Sequence, residues 1–79
     1  MDVFLAPGDP RSMAAQIYEQ VRDAITAGGL APGVRLTPSR VLAGELGVSR
    51  ATVADAYGRL VAEGYAQGQR GGGTIVAEF

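Results

Sequence analysis

The 79-residue sequence predicts a mainly α domain closed by a small β-hairpin, and three observations carry that prediction. Three apolar stripes recur at helical spacing, each opened by a capping residue or a proline and followed by glycine. After Gly64 the periodicity changes to two short strand-like runs, 65–69 and 74–77, separated by "RGGG". The length leaves room for one core only, since a chain of this size buries roughly 60% of the surface it exposes when unfolded.

The first helix is predicted over residues 10–27. Asp9 caps it, Pro10 suits its first position and Gly28-Gly29 ends it; Ala14, Ile17, Val21, Ala24 and Ile25 form the inward stripe. "LAPG" at 30–33 is a turn, and residues 34–36 are a candidate short strand. Thr37-Pro38 repeats the cap-plus-proline start. It opens a second helix to Leu46, with Val41, Leu42 and Leu46 inward, which Gly47 closes. Ser49 caps a third helix, where Val53, Ala56, Tyr57, Leu60 and Val61 recur at helical spacing up to Gly64. Gly58 inside it costs about 1 kcal/mol relative to alanine; close packing and simple tolerance are equally good readings of it.

Two short helices joined by a tight turn, the second followed by a two-stranded wing, make a winged helix-turn-helix: three helices plus a two- to three-stranded wing. Its expected span is 10–77, with 1–9 as an N-terminal extension and 78–79 as the start of a linker.

Composition removes several classes of function. With 47% hydrophobic and 19% charged residues the chain is not a disordered tail. No apolar run approaches the ~20 residues of a membrane span, and the N-terminus lacks the pattern of a secretory signal, so a cytoplasmic protein without membrane contact is expected. The absence of Cys and His takes away thiolate metal sites, the commonest metal ligand and the usual general base. No enzyme activity, metal or cofactor is expected of these residues.

A net charge of −1 conceals an asymmetry. In residues 1–34, Arg11 and Arg22 face Asp2, Asp9, Glu19 and Asp23, a balance of −2. In residues 35–70, Arg35, Arg40, Arg50, Arg59 and Arg70 face Glu45, Asp55 and Glu63, a balance of +2. Every cation is arginine, the side chain suited to bidentate contact with phosphate and guanine. In a helix-turn-helix the start of the second helix of the motif faces the major groove, and Arg50 there is placed to fork onto a guanine. Ser49 is explained by capping alone, yet its hydroxyl and the free helix-terminal amides also suit a phosphate. Thr52 suits a phosphate or a thymine methyl, with plain surface as the bland alternative, and Ala51 and Ala54 lack polar groups but suit a thymine methyl or a close approach. Arg40 lies near a helix N-terminus, where a cation is mildly unfavourable and an external anion is welcome. Arg59 is set aside, because Asp55 four residues earlier suits it as an ion-pair partner. "RGGGT" lacks the spacing of a phosphate-binding loop and reads as a wing tip, with Arg70 directed to a phosphate or the minor groove; a plain hairpin turn is the competing reading. Tyr18, Tyr57 and Tyr65 are scattered over different elements, which argues for core rings and against a base-stacking platform.

The stretches "IYEQVRDAITAGGLAPGVRLTPSR" and "LAGELGVSRATVADAYGRLVAEGYAQGQRGGGTIVA" together resemble the DNA-binding domain of GntR-type bacterial transcription regulators. "ATVADAY" followed by "LVAEGY" is most similar to the MocR branch, in which a linker leads to an aminotransferase-like domain that binds pyridoxal phosphate. The resemblance implies operator contacts from Arg40, from Ser49, Arg50, Ala51 and Thr52, and from Arg70 and Gly71. Pro38 stands one place later than in the Leu-Pro-Ser pattern of many relatives, and Ala54 stands where some carry arginine, so no base contact is carried over there. The implied partner is a double-stranded DNA operator, bound by a domain that is monomeric alone and dimeric within an intact regulator. The chain contains no lysine for a Schiff base, so pyridoxal phosphate would belong to a further domain. A winged helix used for protein–protein interaction is the alternative that the net charge keeps open.

Overall fold

The computed structural model of the chain describes residues 1–78. Helix α1 (Met13–Thr26) begins three residues later than the sequence predicts, because Ser12 and not Asp9 is its cap. Ser12 Oγ accepts the Ala15 amide at 3.1 Å, while the Asp9 carboxylate accepts the Arg11 amide at 2.8 Å and its guanidinium at 2.6 Å. Ser12 takes the cap position three residues later, and the Asp9 carboxylate is turned to Arg11 instead.

Helix α2 (Ser39–Leu46) likewise starts after its proline. Pro38 keeps an extended ψ of 141°, and no side chain caps the helix. Thr37 is therefore not the expected cap; the residue before a proline is biased away from helical geometry, and its carbonyl accepts the Tyr57 hydroxyl at 2.6 Å. Gly47 ends α2 with φ 69°, a left-handed conformation that glycine adopts without a Cβ penalty. Ser49 then caps helix α3 (Arg50–Ala62) as expected, accepting the Thr52 amide at 3.1 Å.

Strands β1 (Ala66–Gly68) and β2 (Thr74–Val76) pair antiparallel, Ala66 opposite Val76. The candidate strand at 34–36 is reduced to a single bridge, Arg35 opposite Ile75, flanked by amide bonds from Leu36 to Thr74 and from Val76 to Val34, both 2.8 Å. This segment lies along β2 as a partial third strand of the wing.

Helix α3 packs against α1, α2 and β1. The fully buried residues Ile17, Tyr18, Val21, Leu42, Val53, Leu60 and Val76 come from all three helices and the hairpin. Val41 and Val61, expected inward, are 43% and 41% exposed. Each stands one position, roughly 100° of helical rotation, from a buried leucine, so the buried stripes are narrower than the sequence pattern. Ala14, Ala24 and Leu46 are half-buried at the core edge.

Residues 1–9 also lie against the domain. Val3 joins the core, the Gln20 side-chain amide accepts from and donates to the Phe4 backbone at 2.9 and 2.8 Å, and buried Gln16 accepts the Ala6 amide at 2.8 Å. On the other side of α1, Tyr18 donates to the Glu63 carboxylate, and Arg59 lies 3.9 Å from the centroid of the Tyr18 ring. Arg59 pairs with Glu63 at 3.0 Å and not with Asp55 as expected, because Glu63 and the tyrosine face sit together at the C-terminal end of α3.

Gly58 is exposed, and a Cβ built there meets no atom within 4 Å. Tolerance, not close packing, explains it. Gly58→Ala is expected to raise the unfolding free energy by about 1 kcal/mol in a denaturant titration.

Candidate nucleic-acid interface

Tyr57 organises the surface where the cations gather. Its ring is buried on the inner face of α3, and its hydroxyl crosses to the Thr37 carbonyl just ahead of α2. Burial, with a smaller contribution from the Glu45 charge, pushes the phenol up to about 12. The bond fixes the start of α2, and with it Arg40, relative to α3, which carries Arg50.

Between these two helix starts and the wing opens a cleft of about 480 Å³. Arg35, Arg40 and Arg50 line it together with Gly71, Gly72 and Gly73, and no acidic residue is among its lining. The arginines of the chain divide by location. Arg11, Arg22 and Arg59 are paired with Asp9 and Glu19, Asp23, and Glu63 respectively. Among the described residues no ion pair reaches Arg35, Arg40, Arg50 or Arg70, and all four are exposed. Three uncompensated cations on one concave face concentrate positive potential there, although the whole chain is slightly acidic.

Of the residues expected at the site, Arg40, Arg50 and Gly71 are brought together in this cleft. Ser49 and Thr52 lie beside it and bond each other: their hydroxyls are 2.9 Å apart in addition to the cap bond. Capping accounts for the Ser49 geometry, and half-buried Thr52 shares it. Ala51 is exposed on the first turn of α3, and Arg70 is exposed in the wing turn; neither lines the cleft. Arg35 was not among the expected site residues; Gly72 and Gly73 belong to the expected wing tip but were not singled out with Arg70 and Gly71. Arg35 was visible as part of the basic half, but its position against the wing depends on the pairing of 34–36 with β2, which its local pattern does not specify. Among the described residues no group of three or more His, Cys, Asp or Glu gathers to hold a metal ion.

The pattern of the family described as "Bacterial regulatory proteins, gntR family" matches residues 13–76. The chain belongs to the GntR family. Among its curated relatives, the HTH-type pyridoxine biosynthesis transcriptional regulator PdxR of Corynebacterium glutamicum is 42% identical over 76 residues, 96% of this chain and 17% of that protein. The probable rhizopine catabolism regulatory protein MocR of Rhizobium meliloti is 49% identical over 65 residues, 82% of this chain and 13% of that protein. This GntR chain thus spans less than a fifth of the length of either. Its fold is similar to YtrA from Sulfolobus acidocaldarius, a GntR-family transcription factor, with a TM-score of 0.92 at 32% identity over 98% of this chain and 81% of that one. It is also similar to AraR(DBD) in complex with operator ORX1, with a TM-score of 0.81 at 32% identity over 95% and 93% of the two chains. The winged helix-turn-helix architecture of the GntR domain is shared with both, and no described helix is long and apolar enough to cross a membrane.

Tyr57→Phe is expected to cost about 1 kcal/mol at neutral pH by leaving the Thr37 carbonyl without its partner. Because the folded phenol ionises only near pH 12, its contribution is complete below the ordinary value of about 10 and is lost as pH rises toward 12. Stability measured by denaturant at stepped alkaline pH is therefore expected to fall more steeply in wild type than in Tyr57→Phe over that window.

Proposed function

We propose that this domain is the operator-recognition module of a transcription regulator and binds double-stranded DNA with sequence specificity. The observation that carries the reading is the acid-free cleft in which Arg40 and Arg50, from consecutive helices, meet the glycine-rich wing tip. Family membership supports it, as does the likeness to AraR(DBD), whose structure holds an operator.

In this reading the N-terminal turn of α3 enters the major groove. Arg50, exposed and unpaired, forks onto O6 and N7 of a guanine. Ala51 offers a small apolar surface to a thymine methyl. Ser49 and Thr52 present their shared hydroxyl pair at the helix start, where the unpaired amides of the first turn favour an anion. Arg40 and Arg70 hold phosphates on either side, and Gly71 allows the wing backbone to approach the sugar-phosphate edge. Phosphate contacts fix the position of the domain, and the base contacts of α3 give it specificity.

One copy of so small a surface makes few contacts. We infer a monomer with weak half-site affinity for this domain alone, and a homodimer for an intact regulator that places two copies on repeated half-sites. Relatives of the MocR type are associated with pyridoxal phosphate. The residues present here do not fit that cofactor, since without a lysine there is no amine to form its Schiff base. Its place would be in a domain beyond these residues.

The test is selection of bound duplexes from a random pool, followed by titration of the enriched site with wild type and Arg50→Ala at two salt concentrations. Wild type is expected to enrich a motif and to lose affinity as salt rises. Arg50→Ala is expected to relax preference at one or two base pairs, each by roughly 1–3 kcal/mol. Absence of an enriched motif, with any binding insensitive to salt, would reject the reading and point to a protein partner.

A further inference from the structure

Arg35 is anchored by the wing in a way that neither Arg40 nor Arg50 is. Its backbone sits on the partial third strand opposite Ile75, and its side chain reaches across the hairpin. Nη2 donates to Gln69 Oε1 at 3.2 Å on one side of the wing loop. On the other side, a Cβ built at Gly73 would stand 3.4 Å from each of Cζ, Nε and Nη2. Equal distances to three atoms of a planar group put that position over the guanidinium face, so the plane lies against the backbone of Gly73. The left-handed φ of 93° favours glycine at this position, and a Cβ there would come to van der Waals contact with the guanidinium. The loop between is closed on itself by bonds from the Gln69 amide to the Gly73 carbonyl at 3.0 Å and from the Gly72 amide to the Gln69 carbonyl at 3.1 Å.

A guanidinium has five N–H donors, and the bond to Gln69 occupies one of them. No acidic residue lines the cleft that Arg35 shares with Arg40 and Arg50, and no ion pair among the described residues neutralises it. A rigidly held, uncompensated arginine with free donors in that position is suited to a phosphate. We propose that Arg35 is a DNA-backbone contact, which the wing holds in place so that the hairpin and α3 engage the same duplex in a fixed relation. The inference rests on the DNA reading above and adds to it a residue that contributes affinity without base preference.

The experiment measures anisotropy of a labelled duplex against salt for wild type, Arg35→Gln and Arg35→Lys, using the selected duplex or, if none is enriched, a mixed-sequence duplex of about two helical turns. Arg35→Gln is expected to bind about tenfold more weakly at low salt and to lower the slope of log affinity against log salt by about one, equally on matched and mismatched duplexes. Arg35→Lys keeps the charge and is expected to keep the wild-type slope. If the role is only to support the wing, lysine, which lacks the planar face, fails as glutamine does. Unchanged slopes in both variants, or equal changes in both, overturn the proposal while leaving DNA binding intact. If wild type binds no duplex, the DNA reading itself falls and Arg35 with it. Thermal unfolding of each variant verifies that it is folded under the assay conditions.

Discussion

Helix α3 has to satisfy two opposing demands, and the rest of the domain is arranged around that constraint. Its inner stripe of Val53, Ala56, Tyr57 and Leu60 is buried against the other elements, while Arg50 and Ala51 at its start are exposed and no ion pair among the described residues reaches Arg50. A helix packed on one side only would be free to rock about its axis. Contacts with α1, α2 and β1 prevent this by holding it from several directions. The Tyr57 hydroxyl, near its middle, and the Tyr18–Glu63–Arg59 cluster, at its C-terminal end, then join it to different neighbours through polar groups. Apolar burial supplies most of the stability, since it scales with area, but it is non-directional. The directed bonds set the angle at which the exposed turn is presented.

Charge follows the same division. Ion pairs on the α1 side tie Arg11, Arg22 and Arg59 to neighbouring carboxylates. Exposed pairs of this kind contribute little to stability. Their effect here is to leave the uncompensated positive charge on Arg35, Arg40 and Arg50 in the cleft and on Arg70 in the wing turn. A domain of net charge −1 can thereby present a locally basic surface.

Much of this is legible in the sequence. Three helices, the Gly47 turn, the Ser49 cap and the hairpin follow from short-range rules and are present, although α1 and α2 start later than expected and Val41 and Val61 leave the buried stripes. Arg40, Arg50 and Gly71, expected at the site from their places in the motif, line one cleft. What local rules did not specify was competition for partners. Asp9 and Thr37 are sound caps in isolation, but Arg11 engages one and the geometry around Pro38 displaces the other. Asp55 is well spaced for Arg59, yet Glu63 is equally spaced and lies beside a tyrosine face contributed by α1. The position of Arg35 depends on residues 34–36 meeting β2 some forty positions later, a pairing that no short window contains.

The N-terminal segment shows how a helix can act as a template for extended chain. Gln16 and Gln20 stand four residues apart on α1, about 6 Å along its axis, and hold Ala6 and Phe4, which are two residues apart and roughly 6.6 Å in an extended strand. The two repeats nearly coincide, so the glutamine amides stand in for the edge of a sheet. Such an edge enforces parity. Deleting or inserting one residue between Val3 and Ala6 would exchange the faces of the segment, turning apolar side chains that now meet the core toward water and bringing their neighbours inward. Substitutions at the outward positions Phe4 and Ala6 therefore disturb the segment less than a single-residue change in its length.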